Sequence, residues 1–166
     1  MRQFVILISL FTSFSLFAQN QFYLQGGIGL TSITSYENNM INALGGNIDG
    51  ELIYDFQKPI SVGLSTTTGY GFDLNLGNKV IYQQENLNLY YRVFFFDRVI
   101  VGGGLSAIQI WNGDGVNTND FLFGVNLTVD YKIGTIRKYD LHLRGHRSTY
   151  FSETTTGIGI LLGNPF

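Results

Sequence analysis

Apolar side chains fall on every second residue along most of this chain, and a period of two commits each such run to an extended strand with one greasy face and one polar face. The clearest run sets Phe121, Phe123, Val125, Leu127, Val129, Tyr131 and Ile133 against Asn126, Thr128, Asp130 and Lys132. Seven more runs accompany it. Phe22, Leu24, Ile28 and Leu30 oppose Gln25 and Thr31; Leu44, Ile48, Leu52, Tyr54 and Phe56 oppose Asn47, Asp49, Glu51 and Asp55. Ile60 to Leu76 keeps one parity throughout, and Leu87, Leu89, Tyr91, Val93 and Phe95 oppose Asn86, Asn88, Tyr90 and Arg92. Tyr139, Leu141 and Leu143 oppose Asp140, His142, Arg144, His146 and Ser148, while Ile158, Ile160 and Leu162 oppose Gly157 and Gly159. The run from Val99 to Trp111 is apolar on both parities, so its faces are not assigned from sequence.

Composition removes several other classes. Charged residues make up 13% of the 166 and aromatics 15%, with 21 Gly, 2 Pro and no Cys. That is a Gly-rich, weakly charged β protein rather than a helical bundle or a collagen-like chain. A formal net charge of −2 gives no basic footprint for nucleic acid. Lack of cysteine excludes disulfides, thiolate metal sites, a Cys nucleophile and a lipid anchor on an N-terminal Cys.

Residues 1–18 have a different pattern. Arg2 precedes an apolar run from Phe4 to Phe17 broken only by Ser and Thr, and Ala18 offers a small residue for cleavage. This reads as a secretory signal peptide, since about 14 apolar residues fall short of the ~20 that a membrane-spanning helix needs. A β-barrel domain is then expected over residues 19–166.

The connections alternate in character. Gln57-Lys58-Pro59, Phe96-Asp97-Arg98 and Gly134-Thr135 read as tight turns, whereas the links near 34–43, 77–80, 112–120 and 149–153 are longer or more polar. Aromatics gather near the turns (Phe22, Tyr54, Phe56, Phe95, Tyr131, Tyr139) and near the loops (Phe72, Tyr82, Trp111, Phe121, Tyr150), as interfacial girdles do. With these features and a terminal Phe166, the chain resembles the small eight-stranded outer-membrane barrels of double-membraned bacteria. The resemblance implies an all-β, antiparallel up-and-down transmembrane barrel, with both termini in the periplasm. It also implies contact with outer-membrane lipid and lipopolysaccharide, insertion by the barrel-assembly machinery that reads a terminal aromatic, a monomeric state and no cofactor or metal. The polar faces would fill the interior, where Asp49, Glu51, Asp55, Arg92, Asp130, Lys132, Asp140, His142 and Arg144 form a network of five acids, three bases and a histidine. Buried charges of this kind must be paired. Period two serves equally a soluble periplasmic lipocalin-like binding barrel with its apolar faces turned inward, and that alternative stays open at the level of sequence.

The best-supported role is a non-catalytic structural or surface-interaction barrel. One stretch carries chemistry worth testing. His146, one spacer and Ser148 resemble the penultimate strand of the outer-membrane lipid A deacylases, the acyloxyacyl hydrolase-like barrels. That resemblance implies His146 as general base and Ser148 as nucleophile on a lipid ester. The family's Asn after the Ser is Thr149 here, and no acid occurs from Thr154 to Phe166, which leaves Glu153 as the candidate third member. Simple alternation points both residues inward; a bulge at Gly145 would turn them to the lipid. Other site readings are weaker. His142 and His146 stand about 13 Å apart on a strand, too far for one metal. The Asn112–Asp120 stretch lacks the closing Glu of a Ca²⁺ loop. Gly102-Gly103-Gly104 lacks the Lys and helix of a phosphate loop and instead leaves room for large neighbours such as Tyr90 or Phe94.

Overall fold

Each alternating run becomes a strand, and the strands pair in chain order. In the computed structural model, which describes residues 22–35, 42–57, 59–75, 77–93, 98–112 and 117–164, these are β1 (Phe22–Ser35), β2 (Asn42–Gln57), β3 (Ile60–Asp73), β4 (Lys79–Arg92), β5 (Val99–Asn112), β6 (Asn117–Ile136), β7 (Tyr139–Tyr150) and β8 (Glu153–Gly163). All neighbours are antiparallel, and β8 pairs with β1, so the sheet closes into a barrel with no open edge. The expected all-β, eight-stranded antiparallel barrel is therefore the observed fold. The expected signal segment 1–18 and the terminal Phe166 lie outside the described residues. Asn164 donates its amide to the Leu24 carbonyl at 3.2 Å, so pairing with β1 continues one residue past β8.

The register fixes the barrel's dimensions. A circuit of directly paired residues runs Tyr91, Val101, Val129, Gly145, Ile158, Leu30, Gly46, Tyr70 and Ile81, returning to β4 ten residues from its start. Eight strands with that stagger tilt by about 40° and leave an interior that side chains fill.

Alternation sorts the two walls as the outer-membrane resemblance requires. Leu105 is 65% exposed and Leu127 55%, while Glu51 is 3% and Arg144 5%. A lipocalin-like barrel would show the reverse, so that alternative is corrected by the side-chain directions. The faces of the Val99–Trp111 run resolve as well. Ser106, Ile108 and Ile110 point inward, and Leu105 points outward beside Val101, Ala107 and Trp111. Both parities are apolar because the interior itself turns apolar near the loop end. There Ile33, Ala43, Val80, Tyr82, Ile108, Ile110 and Tyr150 form one buried cluster. Tyr82 and Tyr150 consequently belong to the interior and not to an outer aromatic girdle.

Three connections differ from expectation. Gly134-Thr135 is not a turn: β6 continues to Ile136, a register shift between Lys132 and Gly134 absorbs an extra residue, and the hairpin closes at Arg137-Lys138. β3 stops at Asp73 rather than running to Leu76, because Asp73 organises a turn. Its Oδ1 accepts the Asn75 amide at 2.8 Å and its carbonyl accepts the Gly77 amide at 2.8 Å, with Gly77 in the left-handed region at φ 71°. The link near 149–153 is short, since β7 ends at Tyr150 and β8 begins at Glu153.

Arg137 holds φ at 57°, a conformation costly for any residue with a Cβ. Arg137→Gly is expected to raise barrel stability by about 1 kcal/mol and Arg137→Val to lower it. Urea titration of the folded fraction measures both.

Candidate functional site

The interior of the barrel is where this chain concentrates its chemistry, and it is built in layers. Nearest the turn end, Arg92 meets Asp55 at 3.1 Å, and Lys132 meets Asp140 at 2.6 Å with Thr135 donating to the other carboxylate oxygen at 2.9 Å. Lys132 sits at the rim, half-buried, while Asp140 is fully covered.

The central layer is organised by Arg144. Direct cross-strand pairing sets Arg144 on β7 opposite Asp130 on β6. The guanidinium grips that carboxylate with two bonds, Nε to Oδ1 and Nη2 to Oδ2, each 2.6 Å. Nη2 also reaches Glu51 Oε2 across the lumen at 2.7 Å. Glu51 is directly paired with Gln25, whose amide donates to the same oxygen at 2.6 Å, and its other oxygen accepts the Tyr90 hydroxyl. Asn88 donates to the Tyr90 oxygen at 2.9 Å, and the guanidinium lies 5.8 Å from the centroid of the Tyr90 ring. The ring fits because the facing positions lack side chains: a Cβ on Gly63 would come within 2.7 Å of it and one on Gly102 within 2.4 Å. Gly102 thus performs the accommodating role read from its sequence.

Above this layer lies a hydrogen-bonded mesh. Asp49 accepts from Asn47 at 2.7 Å and Thr67 at 2.6 Å, and no cation pairs with it among the described residues. Gln84 donates to Asn86 at 2.8 Å and to Ser148 Oγ at 2.9 Å, and accepts from Thr155 at 3.1 Å. Ser106 bonds Asn86 and Tyr150, each at 2.7 Å. The mesh encloses a cavity of about 20 Å³ bordered by Asp49, Asn126, Thr128, His146 and Ser148. That is one to two orders of magnitude below a small-molecule pocket of roughly 300–1,000 Å³. The apolar cluster around Tyr82 caps it toward the loops.

Every residue expected in the interior network is inside: Asp49, Glu51, Asp55, Arg92, Asp130, Lys132, Asp140, His142 and Arg144. Four of the five acids are ion-paired. Sequence analysis set Gln25 on the polar face of its run without placing it in the network, and it did not single out Thr155 or Gln84, the latter on the parity of Arg92. His146 and Ser148 come together on one face, and that face is the lumen. No bulge interrupts Gly145, which pairs with Val129 and with Ile158, and the pairing on both sides of β7 is continuous from His142 to Thr149. Ser148 is fully buried with its hydroxyl bound by Gln84, and the His146 ring packs where a Cβ on Gly157 would lie 2.3 Å away. Glu153 is not on a loop; it opens β8, buried and paired with Ser35 near the loop end.

No protein-family model matches the sequence, and no curated protein matches it. Solved structures share its fold. The chain superposes on Neisserial surface protein A with a TM-score of 0.69 at 13% identity, over 87% of this chain and 97% of that one. It is also similar to Ail, the attachment invasion locus protein of Yersinia pestis, with a TM-score of 0.56 at 12% identity over 88% and 98% of the two chains. The outer membrane protein AlkL in lipid bilayers gives 0.55 at 12% identity over 89% and 91%. The likeness is one of fold, the architecture of small outer-membrane barrels.

Replacing Arg144 with Met strands two buried carboxylates and should cost about 3–5 kcal/mol. Neutralising them as well, in Arg144→Met with Glu51→Gln and Asp130→Asn, should recover most of the loss. Denaturant titrations of the two variants provide the comparison.

Proposed function

We propose that this chain is an integral outer-membrane barrel with a non-catalytic structural or surface-interaction role, in contact with outer-membrane lipid and lipopolysaccharide. The observation that carries the reading is the outer wall. Tyr54, Phe56, Tyr91 and Tyr131 ring its turn end; Tyr70, Phe72, Phe121 and Phe123 ring its loop end, all outward and well exposed or half-exposed. Within each ring the aromatics touch: Tyr54 and Phe56 at 4.8 Å, Tyr70 and Phe72 at 5.6 Å between centroids. Tyr91 and Ile81, the latter paired with Tyr70, lie ten residues apart on β4. At about 3.3 Å per residue and a tilt of about 40°, the rings are roughly 25 Å apart along the axis. An outward apolar band of about 25 Å between aromatic girdles is what a bilayer requires of a barrel. Leu64, Leu87, Leu105, Val125 and Leu127 fill that band.

The filled lumen supports a role other than conduction. The inward, hydrogen-bonded Ser148 and the lumenal His146 support a role other than lipid ester hydrolysis, because an acyl chain would approach from the opposite face. Fold likeness to surface and outer membrane proteins is consistent with the location.

Two outcomes are expected. In detergent gels the unboiled protein should migrate ahead of the boiled protein, and a single unchanged band would contradict membrane embedding. Lipid A isolated from cells carrying the native chain or Ser148→Ala should have identical acyl masses; deacylation dependent on Ser148 would overturn the non-catalytic reading.

A further inference from the structure

Two outward side chains do not suit a wall facing hydrocarbon. Among the described side chains, Glu85 on β4 and Arg147 on β7 are the charged groups on the outer face between the aromatic rings. Glu85 pairs across β3–β4 with Thr66. It accepts from Thr66 Oγ1 at 2.8 Å and from Gln83 Nε2 at 2.9 Å, both on Oε1, and no cation meets it among the described residues. With Thr68, which is directly paired with Gln83, these residues form a small acidic polar patch. Arg147 is exposed between Leu127 on β6 and Thr156 on β8, with Thr149 next on the same face, and no described acid reaches it.

The two lie at the same depth. From Arg147 the direct pairs run to Leu127, Gly103 and Leu89, so three strand steps lead to a point on β4 four residues nearer the turn end than Glu85. Each step across a strand spaced about 4.8 Å and tilted about 40° shifts the level by about 3 Å, and four residues along the strand shift it by about 10 Å in the opposite sense. The two displacements cancel to within about 1 Å. The same geometry sets the two patches about 140° apart around the barrel, on nearly opposite walls.

A carboxylate and a guanidinium at mid-depth are each costly when unpaired, and such groups find partners inside the membrane. One barrel cannot bring these two together. A second copy can, because a neighbour standing at the same level presents Arg147 where the first presents Glu85. We propose that copies of this chain associate side by side in the bilayer, the Glu85 patch of one barrel docking on the Arg147 patch of the next, in place of the monomer expected from sequence. The contact joins two different surfaces, so it propagates as a row or closes as a ring. The inference rests on the membrane-embedded reading above.

The chain has no cysteine, so single thiols report the contact cleanly. Thr68→Cys and Thr149→Cys are placed on separate full-length chains, mixed, reconstituted in phosphatidylcholine vesicles and oxidised. The mixed disulfide dimer should exceed both self-pairs. Adding Glu85→Arg to the first chain, or Arg147→Glu to the second, should cut its yield about threefold or more, and combining both reversals should restore it. Equal yields for self-pairs, indifference to charge reversal, or mixed dimers that appear only when lipopolysaccharide is added would each overturn the proposal, the last by assigning the charges to lipid phosphate. Gel mobility of the same samples separates the two failures. Heat-shifted bands without charge-dependent crosslinking defeat the association alone, whereas unshifted bands defeat the membrane reading and the association with it.

Discussion

The Arg144 guanidinium, clamped between Asp130 and Glu51 in the middle of the lumen, is the interaction on which the rest of the barrel turns. A strand that slips by one residue sends every side chain to the opposite wall. For β7 that would expel Arg144 to the outside and bring Leu143 in. The slip would strand Asp130 and Glu51 without a cation, so the ion cluster fixes register as well as filling space. Glu51 arrives from β2, Asp130 from β6, Gln25 from β1 and Tyr90 from β4, which ties five of the eight strands to one group. Whether such a cluster adds net stability over an apolar filling is secondary, because removing one member costs far more than replacing the whole.

Much of this was legible in the sequence, since parity is a property of the backbone and survives any choice of side chains. Phe121 to Lys132 announced β6 and its two faces, and the charged inward set followed from parity alone. The failures have physical causes. Gly134-Thr135 looks like a turn by composition, but a bulge lets the strand absorb it, and the hairpin instead closes at Arg137, whose type gives no turn signal. Asp73 ends β3 through hydrogen bonds to its own turn, which compete locally with a parity that continues to Leu76. The Val99–Trp111 run defied assignment because its inner face passes from Ser106 in the polar mesh to Ile108 and Ile110 in the apolar cap. On β4 Tyr82 reads as a girdle aromatic by its place near the loop, yet it and Val80 share the inward parity of Gln84 and Asn86 and join the cap.

The candidate site divides along the same line. Its charged members were visible because ions on a shared parity of a closed barrel have nowhere to go but the centre. Tyr90 and its seat at Gly102 were visible as well, by parity and by the missing side chain, whereas Gly63, the second glycine against the ring, was not, because only strand pairing brings it there. His146 and Ser148 show the converse: a pattern that resembles a catalytic pair becomes part of a packed lumen once an uninterrupted ladder sets its direction. On the outer wall Glu85 and Arg147 break the apolar rule at matched depth, and among the described residues neither meets an opposite charge within its own barrel.

The central claim is that the greasy wall of this cylinder meets lipid while the charged wall is closed off from both phases. Spin labels on single-cysteine variants at each position from Phe121→Cys to Tyr131→Cys, in lipid vesicles, test it most directly through accessibility to dissolved oxygen. The account predicts oxygen collisions that rise at the odd positions and fall at Leu122, Asn126, Thr128 and Asp130, with little access for a water-soluble nickel chelate at either set. Oxygen access that peaks at the even positions, or chelate access at Val125, Leu127 and Val129, would contradict it.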